Sequence, residues 1–152
     1  MKSSFGKPFM ATAVTVFTLG VATTAHAQNK GCSNDSLRGT FAYTSTGFIA
    51  SPPEIAGPLV EVGTQSFDGT GNTTATATLS QNGNILPVTV TGTYTVNPDC
   101  TGTMTLQVSP IAVTVHVFFV IDDSLNGFQA IETDPGLVIT RIGRRLFTGR
   151  AF

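Results

Sequence analysis

Residues 73–96 read TTATATLSQNGNILPVTVTGTYTV and give the clearest indication of the fold. Threonine alternates with alanine and leucine before Asn82-Gly83, and with valine, glycine and tyrosine after it. Alternation with a period of two is typical of a β-strand that has one polar and one apolar face. Asn-Gly between two such runs is a strong hairpin signal. The stretch therefore predicts two antiparallel strands whose threonine faces meet water.

The same pattern continues on both sides of this hairpin, with no sustained helical periodicity. Turn signals divide the chain after residue 35 into about eight predicted strands, at residues 36–48, 59–67, 73–80, 86–96, 102–108, 113–121, 127–133 and 137–144. Short connections favour sequential pairing, and eight paired strands remove their free edges by closing on themselves. We predict an all-β fold, a single antiparallel up-and-down barrel, with a two-sheet β-sandwich as the alternative. The sixth strand is apolar on both faces, which predicts that its outer face is covered.

The first residues have the features of a secretory signal peptide. Lys2 and Lys7 precede an apolar run at residues 9–22, and Ala25-His26-Ala27 fits a cleavage site. The apolar run is shorter than the ~20 residues of a membrane-spanning helix. We predict a signal peptide at residues 1–27, cleaved after Ala27, and a single barrel domain at residues 28–152 in the periplasm or outside the cell.

Two cysteines, Cys32 and Cys100, remain after this cleavage. An isolated pair in an oxidising compartment predicts a disulfide, and a structural zinc site needs four Cys or His ligands. We therefore predict no metal. Counting strand directions places both cysteines at one end of the barrel and the long segment 49–57 at the other end, as a lid over any opening.

The charges are distributed unevenly. No Lys or Arg lies between Arg38 and Arg141, whereas Arg141, Arg144, Arg145 and Arg150 gather near the end of the chain. A nucleic-acid-binding protein needs a basic face, so this function is not predicted. The arginines are expected to be solvated and to meet neighbouring carboxylates. Threonine-rich outer faces and the absence of Trp argue against insertion in a membrane.

Alternation places four polar residues, Tyr43, Glu61, Gln65 and Tyr94, inside the barrel. An eight-stranded barrel either fills itself with side chains or holds one small ligand. These four residues are the predicted ligand contacts. Glu61 is also a weak candidate for an acid or base, because burial raises the pKa of a carboxyl. A solvated position at the rim or on a bulge is the alternative for Glu61.

Four strings carry a family resemblance: GCSN at 31–34, LRGTF at 37–41, FDGTGN at 67–72, and GTYTVNPDCTG at 92–102. Together they resemble a group of small secreted bacterial β-proteins, most of which have no assigned activity. In architecture alone, the layout is similar to lipocalin, allene oxide cyclase-like and dirigent-like barrels. That similarity implies a cavity for an apolar molecule and carries no catalytic residue over to this chain.

Three functions follow as hypotheses. The leading one is a barrel that binds a small, mostly apolar ligand in its interior, without a cofactor. The second is a cofactor-free cyclase or isomerase that uses the same cavity with Glu61 as acid or base. The third is a filled barrel that serves as a structural or surface-interaction module. The patterns favour a binding protein over an enzyme.

Overall fold

The computed structural model of the chain describes residues 31–146, so the predicted signal peptide and Arg150 lie outside the described residues. Eight antiparallel strands pair in chain order, and the last pairs with the first to close a barrel. The strands are β1 (Gly39–Ile49), β2 (Gly57–Phe67), β3 (Asn72–Gln81), β4 (Asn84–Val96), β5 (Thr101–Ser109), β6 (Val113–Ile121), β7 (Gly127–Glu132) and β8 (Leu137–Arg145). The predicted up-and-down barrel is confirmed.

Two short 3₁₀ helices complete the described chain, at Asn34–Leu37 and Pro53–Ile55. The first of them corrects the predicted start of the first strand at residue 36. The backbone N–H of Ser33 donates to Ser36 Oγ at 3.1 Å, and the N–H of Ser36 donates to the Ser33 carbonyl at 2.9 Å. These local hydrogen bonds turn the chain before β1 begins, because serine competes well for backbone groups at such positions.

The barrel has two unlike ends. The disulfide end carries the Cys32–Cys100 bridge, which confirms the predicted pairing. A disulfide is compatible with a periplasmic or extracellular location. The other end carries the 50–56 connection, so we call it the loop end. No helix within residues 31–146 is long and apolar enough to span a membrane.

Aromatic rings fill the disulfide end. Phe41 packs against Phe67 and Phe128, with ring centroids 5.5 and 5.6 Å apart. Phe67 also meets the ring of Tyr94 at 5.1 Å. The first 3₁₀ helix closes the floor beneath them with Leu37, which is fully buried. Edge-on aromatic packing of this kind leaves little free volume.

The outer face of β6 is exposed, although the sequence predicts that it is covered. Phe118 is 39% exposed and Val120 is 45% exposed. The face was expected to be covered because both sides of the strand are apolar. Nothing within residues 31–146 covers it, since the next elements, β5 and β7, lie beside β6 in the same sheet.

Candidate functional site

A layer of polar side chains divides the aromatic end of the interior from the loop end. We call Tyr43, Ser45, Glu61, Gln65 and Arg141 the polar layer; all of these residues are buried. The strand register brings them together. Ser45 on β1 lies opposite Glu61 on β2 and, on its other side, opposite Arg141 on β8. Cross-strand neighbours on one face are within contact distance.

Glu61 is inside the barrel, as the alternation predicted, and the rim alternative does not apply. Its Oε1 accepts a hydrogen bond from Tyr43 Oη at 2.7 Å. Its Oε2 accepts hydrogen bonds from Ser45 Oγ at 3.2 Å and from Arg141 Nη2 at 3.4 Å. Three donors and a positive charge offset the loss of water around this carboxylate.

Arg141 corrects the prediction of a solvated last strand, because its side chain is only 5% exposed. Its Nε donates to Ser45 Oγ at 3.0 Å, and its Nη1 lies 3.5 Å from Gln65 Oε1. The guanidinium also stacks over the Tyr43 ring, 4.6 Å from the ring centroid. The charge of Glu61 and these hydrogen-bond acceptors offset the loss of water around the buried guanidinium.

The other arginines of β8 do reach the surface. Arg144 pairs with Asp122 at 3.4 Å and is well exposed, as predicted. Arg145 donates to the carbonyls of Leu125 and Ser36 and covers the ring of Phe41. These two residues fasten the end of β8 to the disulfide end.

Tyr43 and Gln65 lie in the polar layer and do not line the cavity described below. Burial and, next, the negative charge of Glu61 raise the pKa of Tyr43 well above its usual value, so the phenol stays protonated and donates to that carboxylate. Gln65 Nε2 donates to Thr73 Oγ1 at 3.0 Å. Both residues make hydrogen bonds within the polar layer, Tyr43 to Glu61 and Gln65 to Arg141.

Tyr94 lies away from the polar layer, at the disulfide end. Its hydroxyl donates to the Asn34 carbonyl at 3.0 Å and accepts a hydrogen bond from the Gly69 N–H at 2.9 Å. This side chain ties the first 3₁₀ helix to the β2–β3 turn. It is an inward residue, as the alternation predicted, but it contacts structural partners at the closed end.

The loop end holds a cavity of about 280 Å³. Its inner end is formed by Glu61, Arg141 and Glu132, and the 50–56 connection contributes Ser51, Pro52 and Ile55 to its mouth. Most of the remaining wall is aliphatic, with Ile49, Leu59, Leu79, Val88, Val90, Val115 and Ile139. Of the four predicted ligand contacts, only Glu61 reaches this space.

Glu132 belongs to the site, although it was not among the residues that the sequence predicted inside the barrel. It ends β7, where Phe128 and Ala130 already point inward, so the period of two could have identified it. Its side chain is 9% exposed, and its Oε1 lies 3.8 Å from Arg141 Nη2. Burial, only partly opposed by the charge of Arg141, raises the pKa of Glu132 to about 7.

His116 lies on the outer face of β6, and its side chain is 54% exposed. Its ring Nδ1 is 2.8 Å from Asp134 Oδ1, and its backbone N–H donates to Asp134 Oδ2 at 2.6 Å. These hydrogen bonds hold the pKa of Asp134 below its usual range. Residues 31–146 contain no group of three or more His, Cys, Asp or Glu side chains arranged to hold a metal ion.

Comparisons with known proteins support the fold and go no further. No family model matches the chain, and no curated protein matches it. A solved structure described as a redesigned β-barrel is similar, with a TM-score of 0.54 and 19% sequence identity over 74% of this chain and 94% of that chain. Likeness at this level of identity shows the barrel architecture alone.

Proposed function

We propose that this barrel binds one small, mostly apolar molecule in the cavity at its loop end. The observation that carries the proposal is the aliphatic wall around about 280 Å³ of space, with charged groups only at its inner end and mouth. Ligand sites in proteins are concave and mostly apolar, with a few placed polar groups. The cavity is near the lower limit of that size range, so the ligand is small.

Two features of the interior weigh against the other hypotheses. A filled structural barrel needs no cavity, and only the disulfide end is filled. A cyclase or isomerase with Glu61 as its acid or base needs a free carboxyl oxygen at the substrate. Both oxygens of Glu61 already accept hydrogen bonds from Tyr43, Ser45 and Arg141. Ligand binding is therefore the function that we favour.

The test is calorimetric: the wild-type protein and a cavity-filling variant are each titrated with n-octanol. Val88 is buried and lines the cavity, so Val88→Phe places a ring in the space that the ligand would occupy. We expect the affinity for n-octanol to fall about tenfold or more.

Thr89→Phe is the matched control, because Thr89 is the next residue on β4 and is exposed on the outer face. It should leave the affinity for n-octanol unchanged. Equal affinities of the two variants would place binding outside the cavity and overturn the proposal. An absence of n-octanol binding to the wild-type protein would also overturn it.

A further inference from the structure

Glu132 differs from the other carboxylate at the inner end of the cavity. Glu61 has three donors, whereas no donor within residues 31–146 makes a hydrogen bond to Glu132. No fully buried polar side-chain atom in that range lacks a partner. The unbonded oxygens of Glu132 are therefore open to the cavity that this residue lines.

Arg141 makes its hydrogen bonds to other acceptors, and its Nη2 lies 3.8 Å from Glu132 Oε1, too far for a hydrogen bond. Its three nitrogens face Ser45 Oγ, Gln65 Oε1 and Glu61 Oε2. One guanidinium thus stands against two carboxylates, and the inner end carries a net charge of −1 whenever Glu132 is ionised. A buried carboxylate in this position is stabilised by a further donor or positive charge.

The surroundings of the cavity add negative charge. Asp134 lines the cavity, and Glu54 lies in the 50–56 connection at its mouth. His116 is paired with Asp134 on the outer face of β6, and Tyr43 hydrogen-bonds Glu61 inside the barrel. The other arginines of residues 31–146, at positions 38, 144 and 145, lie at the disulfide end.

We propose that the ligand of this cavity is an apolar amine, whose protonated nitrogen donates to Glu132 while its hydrocarbon part packs against the aliphatic wall. The inference rests on the proposed function and specifies its ligand class. An ammonium group supplies both the missing donor and the missing charge. A carboxylate ligand would add a third negative charge around a single arginine.

The experiment compares three probes that share an eight-carbon chain: n-octylamine, n-octanol and n-octanoate. Titrated at pH 8, where Glu132 is mostly ionised, n-octylamine should bind about tenfold more tightly than n-octanol, and n-octanoate more weakly than both. Glu132→Gln should lower the affinity for n-octylamine about tenfold and leave that for n-octanol unchanged.

Glu54→Gln is the matched control, because it removes the same charge from an exposed position at the mouth and should change the n-octylamine affinity about twofold or less. A pH series on the unmutated protein is a second measurement, free of any folding defect. Lowering the pH from 8 to 5.5 protonates Glu132 and should weaken n-octylamine binding, with no effect on n-octanol.

The outcomes separate this inference from the proposed function. If n-octanol binds but n-octanoate binds as tightly as n-octylamine, the amine preference is wrong and the binding cavity stands. The same conclusion follows if Glu132→Gln leaves n-octylamine binding unchanged. If none of the three probes binds, the cavity is not a ligand site and both statements fail.

Discussion

The two ends of the barrel are built from the same eight strands but from different side chains. At the disulfide end, aromatic rings meet edge to face above a buried leucine, and a covalent bridge ties the N-terminal segment to the β4–β5 turn. At the loop end, the inward residues are mostly valine, leucine and isoleucine, and they surround a cavity instead of filling the interior. The difference is one of side-chain volume, since both ends close through the same strand pairing.

This contrast shows how one small barrel accommodates both a core and a cavity. The filled end supplies packing contacts, and the hollow end leaves space for a molecule. The polar layer between them pairs its own charges, and next to it Glu132 presents one open carboxylate to the hollow side. Under the proposed function, stability and ligand binding belong to different ends, and this division is open to experiment.

Truncating a core side chain at each end should change the free energy of unfolding by different amounts. Phe41 is fully buried among aromatic rings, so Phe41→Ala leaves a void that its neighbours cannot fill. We expect the free energy of unfolding to fall by about 3–5 kcal/mol. Leu79→Ala at the hollow end should lower it by about 2 kcal/mol, because Leu79 borders space that is already open.

Urea unfolding followed by circular dichroism measures both values. Equal losses for the two variants would show that the loop end is packed as tightly as the disulfide end, and the contrast would have to be abandoned.

The second prediction concerns the stability lost when the Cys32–Cys100 disulfide is removed. Cys32 and Cys100 are 68 positions apart, so the disulfide removes much of the conformational entropy of the unfolded chain. The double variant Cys32→Ser/Cys100→Ser should lose about 2–4 kcal/mol of unfolding free energy.

The same variant also tests whether the two ends are independent in ligand binding. At a temperature where it remains folded, its affinity for n-octanol should equal that of the wild-type protein, because the bridge lies at the opposite end from the cavity. A weakened affinity would mean that the two ends are coupled through the polar layer.

The alternation of polar and apolar residues was enough to predict the barrel, but it was not enough to predict the site. The period of two predicted the strands and placed Tyr43, Glu61, Gln65 and Tyr94 inside correctly, since every inward residue of a strand obeys it. The pattern cannot assign an inward residue to a layer. Tyr94 and Glu61 therefore looked equivalent, although one lies at the disulfide end and the other borders the cavity.

Arg141 shows why the rest of the site could not be predicted from the sequence. The same alternation along β8 places it with Ile139 on the inner face, but an isolated arginine is expected in water. Its interior position depends on Ser45 standing between Arg141 and Glu61, a register that joins β8, β1 and β2. Those residues are far apart in sequence, and only closure of the barrel brings their charges together.

The smallest of these stability effects tests the open carboxylate itself. The pKa of Glu132 is about 7 in the folded protein against an ordinary value of 4.5, so the folded state holds this proton more tightly than the unfolded state. Its contribution to stability is then fully present below pH 4.5 and is lost as the pH rises through 7.

Glu132→Gln removes this titration. The variant should match the wild-type protein near pH 4 and exceed its unfolding free energy at pH 8, by at most about 3 kcal/mol. Glu54→Gln, on the exposed connection, should show no such pH-dependent gain. Parallel urea titrations at the two pH values measure the difference. A Glu132→Gln variant that is less stable than the wild-type protein at pH 8 would mean that Glu132 already has a stabilising partner, and the hollow end would then lack the open carboxylate that distinguishes it from the filled one.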